Sequence, residues 1–198
     1  MATAEPMLAL PSGERPRRPH LPPVAAALAG AGVLTGFGAF MAAWVNLHHF
    51  SQPWPPKGVR LVNYPGTMLV VTALMAIVTV HWAVWAVRRD LRGQAGAGLG
   101  FTIGFILAFV NMLWFFGRDL HVGTANAPFA VLIYAVLATA GVAAVITVGT
   151  VLAGLIRVIG GQDPAATLDT VLASAIFWDF VAAGWIIVTV FVWRPISL

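Results

Sequence analysis

Thr170-Val-Leu-Ala-Ser-Ala-Ile-Phe177-Trp178-Asp179-Phe180-Val-Ala-Ala-Gly184-Trp185-Ile-Ile-Val-Thr-Val-Phe-Val-Trp193 is an apolar run that holds a single ionisable side chain, Asp179. A helix needs about 20 largely apolar residues to cross a bilayer, and this run is long enough. Four others precede it: Val24 to Leu47, Pro65 to Val87, Gly98 to Gly117 and Pro128 to Ile159. None alternates polar and apolar residues over about ten positions, as a barrel strand would. The fold class expected is therefore all-α: a polytopic membrane protein, a bundle of five transmembrane helices over residues 24–198. At 1.5 Å per residue the fourth run exceeds a hydrocarbon core about 30 Å thick, so it is expected to tilt or to project from the lipid.

Composition agrees with a bilayer as solvent. Of 198 residues 60% are hydrophobic and 9% charged, and the mean hydropathy is +0.88, whereas soluble domains carry about 25% charged residues. In water such a chain would expose apolar patches far beyond what a soluble monomer tolerates. The net charge of +4 and a pI near 10.7 do not point to nucleic acid, because most of the basic residues flank apolar runs, where membrane orientation explains them. Cysteine is absent. Disulfides, thiolate metal sites, Fe–S clusters and cysteine-attached haem are thereby excluded within the chain.

The basic flanks set an expected orientation. With the N-terminus cytoplasmic and the C-terminus outside, Arg15, Arg17, Arg18, Arg88, Arg89, Arg92 and Arg157 lie inside, against Lys57, Arg60, Arg118 and Arg194 outside. The excess inside is the usual bias. Trp44, Trp54, Trp114 and Trp193 then fall near the outer boundary and Trp82 and Trp85 near the inner one, as an aromatic belt requires. Residues 1–23, rich in proline, read as a flexible cytoplasmic tail. A cleaved signal peptide is not expected: the run after Arg18 is too long for one, and its far end lacks a small-residue cleavage site.

Five histidines limit redox chemistry, since membrane haem and copper centres depend on imidazole ligands. His20, His48, His49 and His121 fall in the tail or outer loops, and only His81 lies within a span, so a haem held between two histidines across the bundle is not expected. Asp179, near mid-depth, needs a partner or a proton. His81, Asn111 or a polar group on another subunit are the candidates. It reads either as a proton-handling carboxyl or as a hydrogen bond that docks helices. Gly32 and Gly36, and Gly100 and Gly104, form two GxxxG pairs that permit close helix packing, within one chain or between chains. Trp178, Ala182 and Trp185 share one helix face, suited to a lipid chain, a neighbouring helix or a packed core.

Phe177-Trp178-Asp179-Phe180-Val181-Ala182-Ala183-Gly184-Trp185 resembles the last helix of subunit III of the haem-copper oxidases. Trp54-Pro55-Pro56-Lys57-Gly58 resembles that family's Trp-Pro-Pro loop. Val78-Thr79-Val80-His81-Trp82-Ala83, running into Arg88-Arg89-Asp90-Leu91-Arg92, is similar to the helix and basic turn that follow it. Five helices in about 200 residues match the short bacterial form. The matches come with departures: Asp179 stands at the family's His position, Ala182 at its Asp position, and Ala140-Gly141-Val142-Ala143 where a His-Gly-aliphatic-His stretch is expected. The resemblance implies a non-catalytic, metal-free subunit of a cytochrome c or quinol oxidase in a bacterial inner membrane. It also implies phospholipid between the helices, and haem and copper in the catalytic subunit I beside it. A similar subunit of another respiratory complex, such as a nitric oxide reductase, or an unrelated small transporter are the other readings.

Overall fold

The computed structural model describes residues 21–50, 63–120 and 127–193, with the side chains at 63–65, 127 and 193 excepted. The tail to His20, the Trp54-Pro55-Pro56-Lys57-Gly58 loop and His121 lie outside the described residues. Five helices make up the fold: α1 Leu21–Phe50, α2 Asn63–Arg88, α3 Arg92–Asp119, α4 Ala127–Ile159 and α5 Pro164–Trp193. All five are long and apolar enough to cross a membrane. Among the described residues there is no strand.

The helices overrun the apolar spans, because hydropathy marks the lipid-crossing part and the caps mark the ends. Leu21, Pro22 and Pro23, expected in the tail, form the first turn of α1, where a missing N–H costs no helical bond. Likewise α5 starts six residues before Thr170, at Pro164. Asp163 precedes that proline, and its carboxylate accepts from the amides of Ala165 at 3.4 Å and Ala166 at 3.3 Å. This is an N-cap followed by proline at the first helical position.

The α2–α3 and α4–α5 turns share one design. Leu91 N–H donates to Ala86 O and Asp90 N–H to Val87 O; Gln162 N–H donates to Arg157 O and Gly161 N–H to Val158 O. Both are Schellman closures, which need a left-handed residue after the helix. Gly161 supplies it at φ 62° and Asp90 at φ 54°, aspartate being one of the few non-glycine residues that tolerate this region.

Helices α2, α3, α4 and α5 form a closed ring in which each packs on two neighbours, and α1 lies outside it against α5 and α4. Phe109 of α3 meets Trp178 and Trp185 of α5 edge to face, with ring centroids 5.5 and 5.7 Å apart. These three rings are buried in the core. Large apolar side chains such as Val78, Phe101, Trp114 and Val142 are exposed on the outside. That arrangement suits lipid, where close packing rather than hydrophobic drive selects the interior.

Packing glycines sit elsewhere than the GxxxG pairs. A Cβ on Gly32, Gly36, Gly100 or Gly104 would meet nothing within 4 Å, so these residues serve no helix contact within the described chain. The close approaches are at Gly30, where a Cβ would fall 2.5 Å from the Phe180 ring, at Gly184, 2.3 Å from the Phe37 ring, and at Gly98, 3.1 Å from the Ala83 backbone nitrogen. Spacing alone identifies small residues but not the face that meets a neighbour.

Candidate functional site

Two ionisable side chains from separate helices meet at membrane depth. Asp179 lies near the middle of α5, and His81 lies seven residues before the end of α2, roughly 10 Å along the axis at 1.5 Å per residue. His81 Nε2 is 3.1 Å from Oδ1 and 3.0 Å from Oδ2 of Asp179. Of the partners expected for Asp179, the tertiary fold selects His81. If Asp179 is a carboxylate, Nε2 carries the proton and donates to it; if Asp179 is the neutral acid, its O–H donates to Nε2.

Next to this pair, the α2–α5 seam is held by a second directional bond. Trp178 Nε1–H donates to Ala73 O at 3.2 Å. Across the α2–α3 seam the Thr79 and Thr102 hydroxyls are hydrogen bonded at 2.9 Å. His81 is thus carried on a helix tied on both sides, and its ring is held by the Asp179 carboxyl.

The pair is not enclosed. The His81 side chain is 48% exposed and that of Asp179 38% exposed, on the outer surface of the bundle. Val78, Trp82 and Trp85 are exposed beside it on α2, and Arg89 sits over the Trp85 ring at 4.5 Å. His81 Nδ1 makes no hydrogen bond to a described residue. With Asp179 holding Nε2, the other nitrogen of this half-exposed ring is left to accept from or, when it carries a proton, donate to a neighbouring group. Such carboxylate-backed imidazoles can relay a proton or serve as one ligand of a metal. Among the described residues no three His, Asp or Glu side chains converge to hold a metal ion.

The other candidates do not join the pair. Asn111 is exposed on α3, where it lines an opening of about 520 Å³ with Trp114, Phe115, Arg118 and Asp119. Trp178, Ala182 and Trp185 are fully buried, so this face of α5 is packed core and offers no surface to lipid. The Trp185 indole N–H has no hydrogen-bond partner among the described residues. An apolar groove of about 730 Å³ runs between α3 and α4, bordered by Trp114, Tyr134, Leu137, Val142 and Ile146, with Arg118 at its rim. Sequence assigns Arg92 and Arg157 to topology alone, yet the fold brings them to one cavity between the two turns, together with Thr167. No signal in their spacing announces this.

Comparison with protein-family models and with characterised proteins gives no match for this chain.

Proposed function

We propose that this chain is a helical, non-catalytic subunit of a larger respiratory membrane complex, of the kind found as subunit III in bacterial haem-copper terminal oxidases. The observation that carries the reading is the half-exposed His81–Asp179 pair on the lipid-facing surface. A polar or charged pair at that depth costs several kcal/mol against bare hydrocarbon, roughly 2.5–3.5 for a central Asp alone. A neighbouring subunit that covers the α2–α5 face and bonds His81 Nδ1 removes that cost. The sequence resemblance on the helix bearing Asp179 supports, as that neighbour, a catalytic subunit I that holds haem and copper. The reaction of the whole complex is then reduction of O₂ to water by cytochrome c or quinol, coupled to proton translocation. The α3–α4 groove has the shape and lining for a phospholipid chain, in keeping with the lipid-binding part of the reading.

Isolation of the tagged chain from its native membrane in mild detergent tests this. The expected result is co-isolation of a large subunit with oxidase-type haem and copper. A partner with haem but no copper points to a nitric oxide reductase type of complex, and a metal-free complex or the chain alone overturns the reading. Flux of a substrate by the purified chain in liposomes would argue for a transporter instead.

A further inference from the structure

The two Schellman turns bring together groups separated by more than sixty residues. The cavity between them, about 30 Å³, is lined by Arg92, at the start of α3, Arg157, in the last turn of α4, and Thr167, in the first turns of α5, with Asp90 and Gln162. That volume holds about two waters, so a larger group would seat at its mouth and put one or two oxygens inside.

Its polar groups are left wanting an acceptor or donor. Thr167 is 5% exposed, and its hydroxyl has no partner among the described residues. Threonines elsewhere in the bundle, such as Thr147 and Thr170, donate to the carbonyl four residues back at 2.8 Å, so an orphan hydroxyl here is the exception. A buried hydroxyl that makes no hydrogen bond is unfavourable, because nothing compensates the loss of its water. The Arg92 guanidinium lies against Gly161, where a Cβ would fall 3.1 Å from Nη1. Among the described residues its one ionic contact is a loose one, Nε to Asp90 Oδ1 at 3.6 Å. Arg157 forms no ion pair with a described residue. The first turn of α3 also has no side-chain cap, Leu91 being its N-cap residue, so its amide dipoles add positive potential beside Arg92.

We propose that this cavity mouth is a binding site for a phosphate group, gripped by the Arg92 and Arg157 guanidinium groups with the Thr167 hydroxyl donating from below. Guanidinium forks match the tetrahedral oxygens of phosphate, and a buried hydroxyl adds a neutral donor. The setting favours the phosphodiester of an anionic phospholipid. The site lies at the ends of spanning helices, and Ile156 and Ile159 are exposed beside it for acyl chains. Free phosphate shares the chemistry and is separated by experiment. Asp90, the opposing charge on the cavity wall, weakens the site and sets its affinity. The proposal requires only that the chain is embedded in a membrane, and it stands whether or not the oxidase reading holds.

The purified full chain in nanodiscs of phosphatidylcholine, titrated with phosphatidylglycerol, is read by native mass spectrometry for retained lipid. A parallel arm measures thermal stability in lipid-free detergent against inorganic phosphate. Wild type is expected to retain phosphatidylglycerol over phosphatidylcholine, and Arg92→Gln/Arg157→Gln to lose that preference by about tenfold or more, in line with two charge-assisted contacts. Thr167→Val should reduce it by about threefold and Thr167→Ser restore it. Asp90→Asn, which keeps the left-handed turn and removes the charge, should strengthen retention. This variant guards against a merely structural effect, because damage to the fold cannot raise affinity. Stabilisation by inorganic phosphate without lipid preference identifies a soluble phosphate as the ligand. Absence of both effects, or a lipid preference unchanged in the double variant, overturns the site.

Discussion

Helix α5 is gripped on two sides by opposite means. Toward α1 the contact is one of shape: the Phe180 ring fills the space left at Gly30, and the Phe37 ring the space left at Gly184. Toward α2 it is directional, through Trp178 to Ala73 O and Asp179 to His81. Lipid tails are as apolar as the helices, so neither seam gains from expelling water. The α1 seam depends on backbone proximity and the α2 seam on polar groups that have no better partner in hydrocarbon. The two partners of α5 also differ in enclosure: 17% of the apolar window of α1 is buried in the bundle against 33% for α2.

The shape seam should break hardest. Gly184→Leu drives a side chain into the buried Phe37 ring and is expected to lower stability by about 3 kcal/mol, with α1 detached. Unfolding in detergent mixtures, with protease access at the α1 end, measures it. A neutral result would mean that α1 packs by some other face. Next come the two buried tryptophans. Trp178→Phe loses an indole body and a hydrogen bond across the α2 seam, about 2 kcal/mol. Trp185→Phe loses the same bulk from a donor that has no partner among the described residues, and should cost about 1 kcal/mol less. Equal costs would show that the Ala73 bond adds nothing.

His81→Leu is comparable to Trp185→Phe. Interhelical hydrogen bonds in membranes average about 0.6 kcal/mol, so a loss of about 1 kcal/mol in the isolated chain is expected, and the double variant with Asp179→Leu should recover part of it. Asp179→Asn separates two states of the pair. Assembly with a partner persists if the carboxyl serves as a neutral hydrogen-bonding group, and fails if the pair is ionic. Smallest is Gly100→Ala, which meets open space and should be neutral or stabilising by up to about 1 kcal/mol through helix propensity. Destabilisation of the isolated chain would contradict the packing described for α3. Loss of partner binding alone would mark Gly100 and Gly104 as an intermolecular seam.

What the amino-acid sequence determined by itself was solvent and class. Five apolar runs without alternation can satisfy their backbone in lipid only as helices, so the all-α, five-span fold was legible in the sequence. Asp179 was legible for the same reason, as a charge-bearing group where hydrocarbon tolerates few. Only the tertiary structure decided who meets whom. It paired Asp179 with His81 rather than Asn111 and sent Trp178 and Trp185 inward. It turned Gly30, Gly98 and Gly184 to the seams while Gly32, Gly36, Gly100 and Gly104 faced away, and it drew Arg92, Arg157 and Thr167 to one cavity. Hydropathy reports a transfer energy summed over a segment. The rotation of one helix against another is set by a few ångströms of side-chain packing, and these sequences, apolar around nearly every face, carry almost no periodic signal to reveal it.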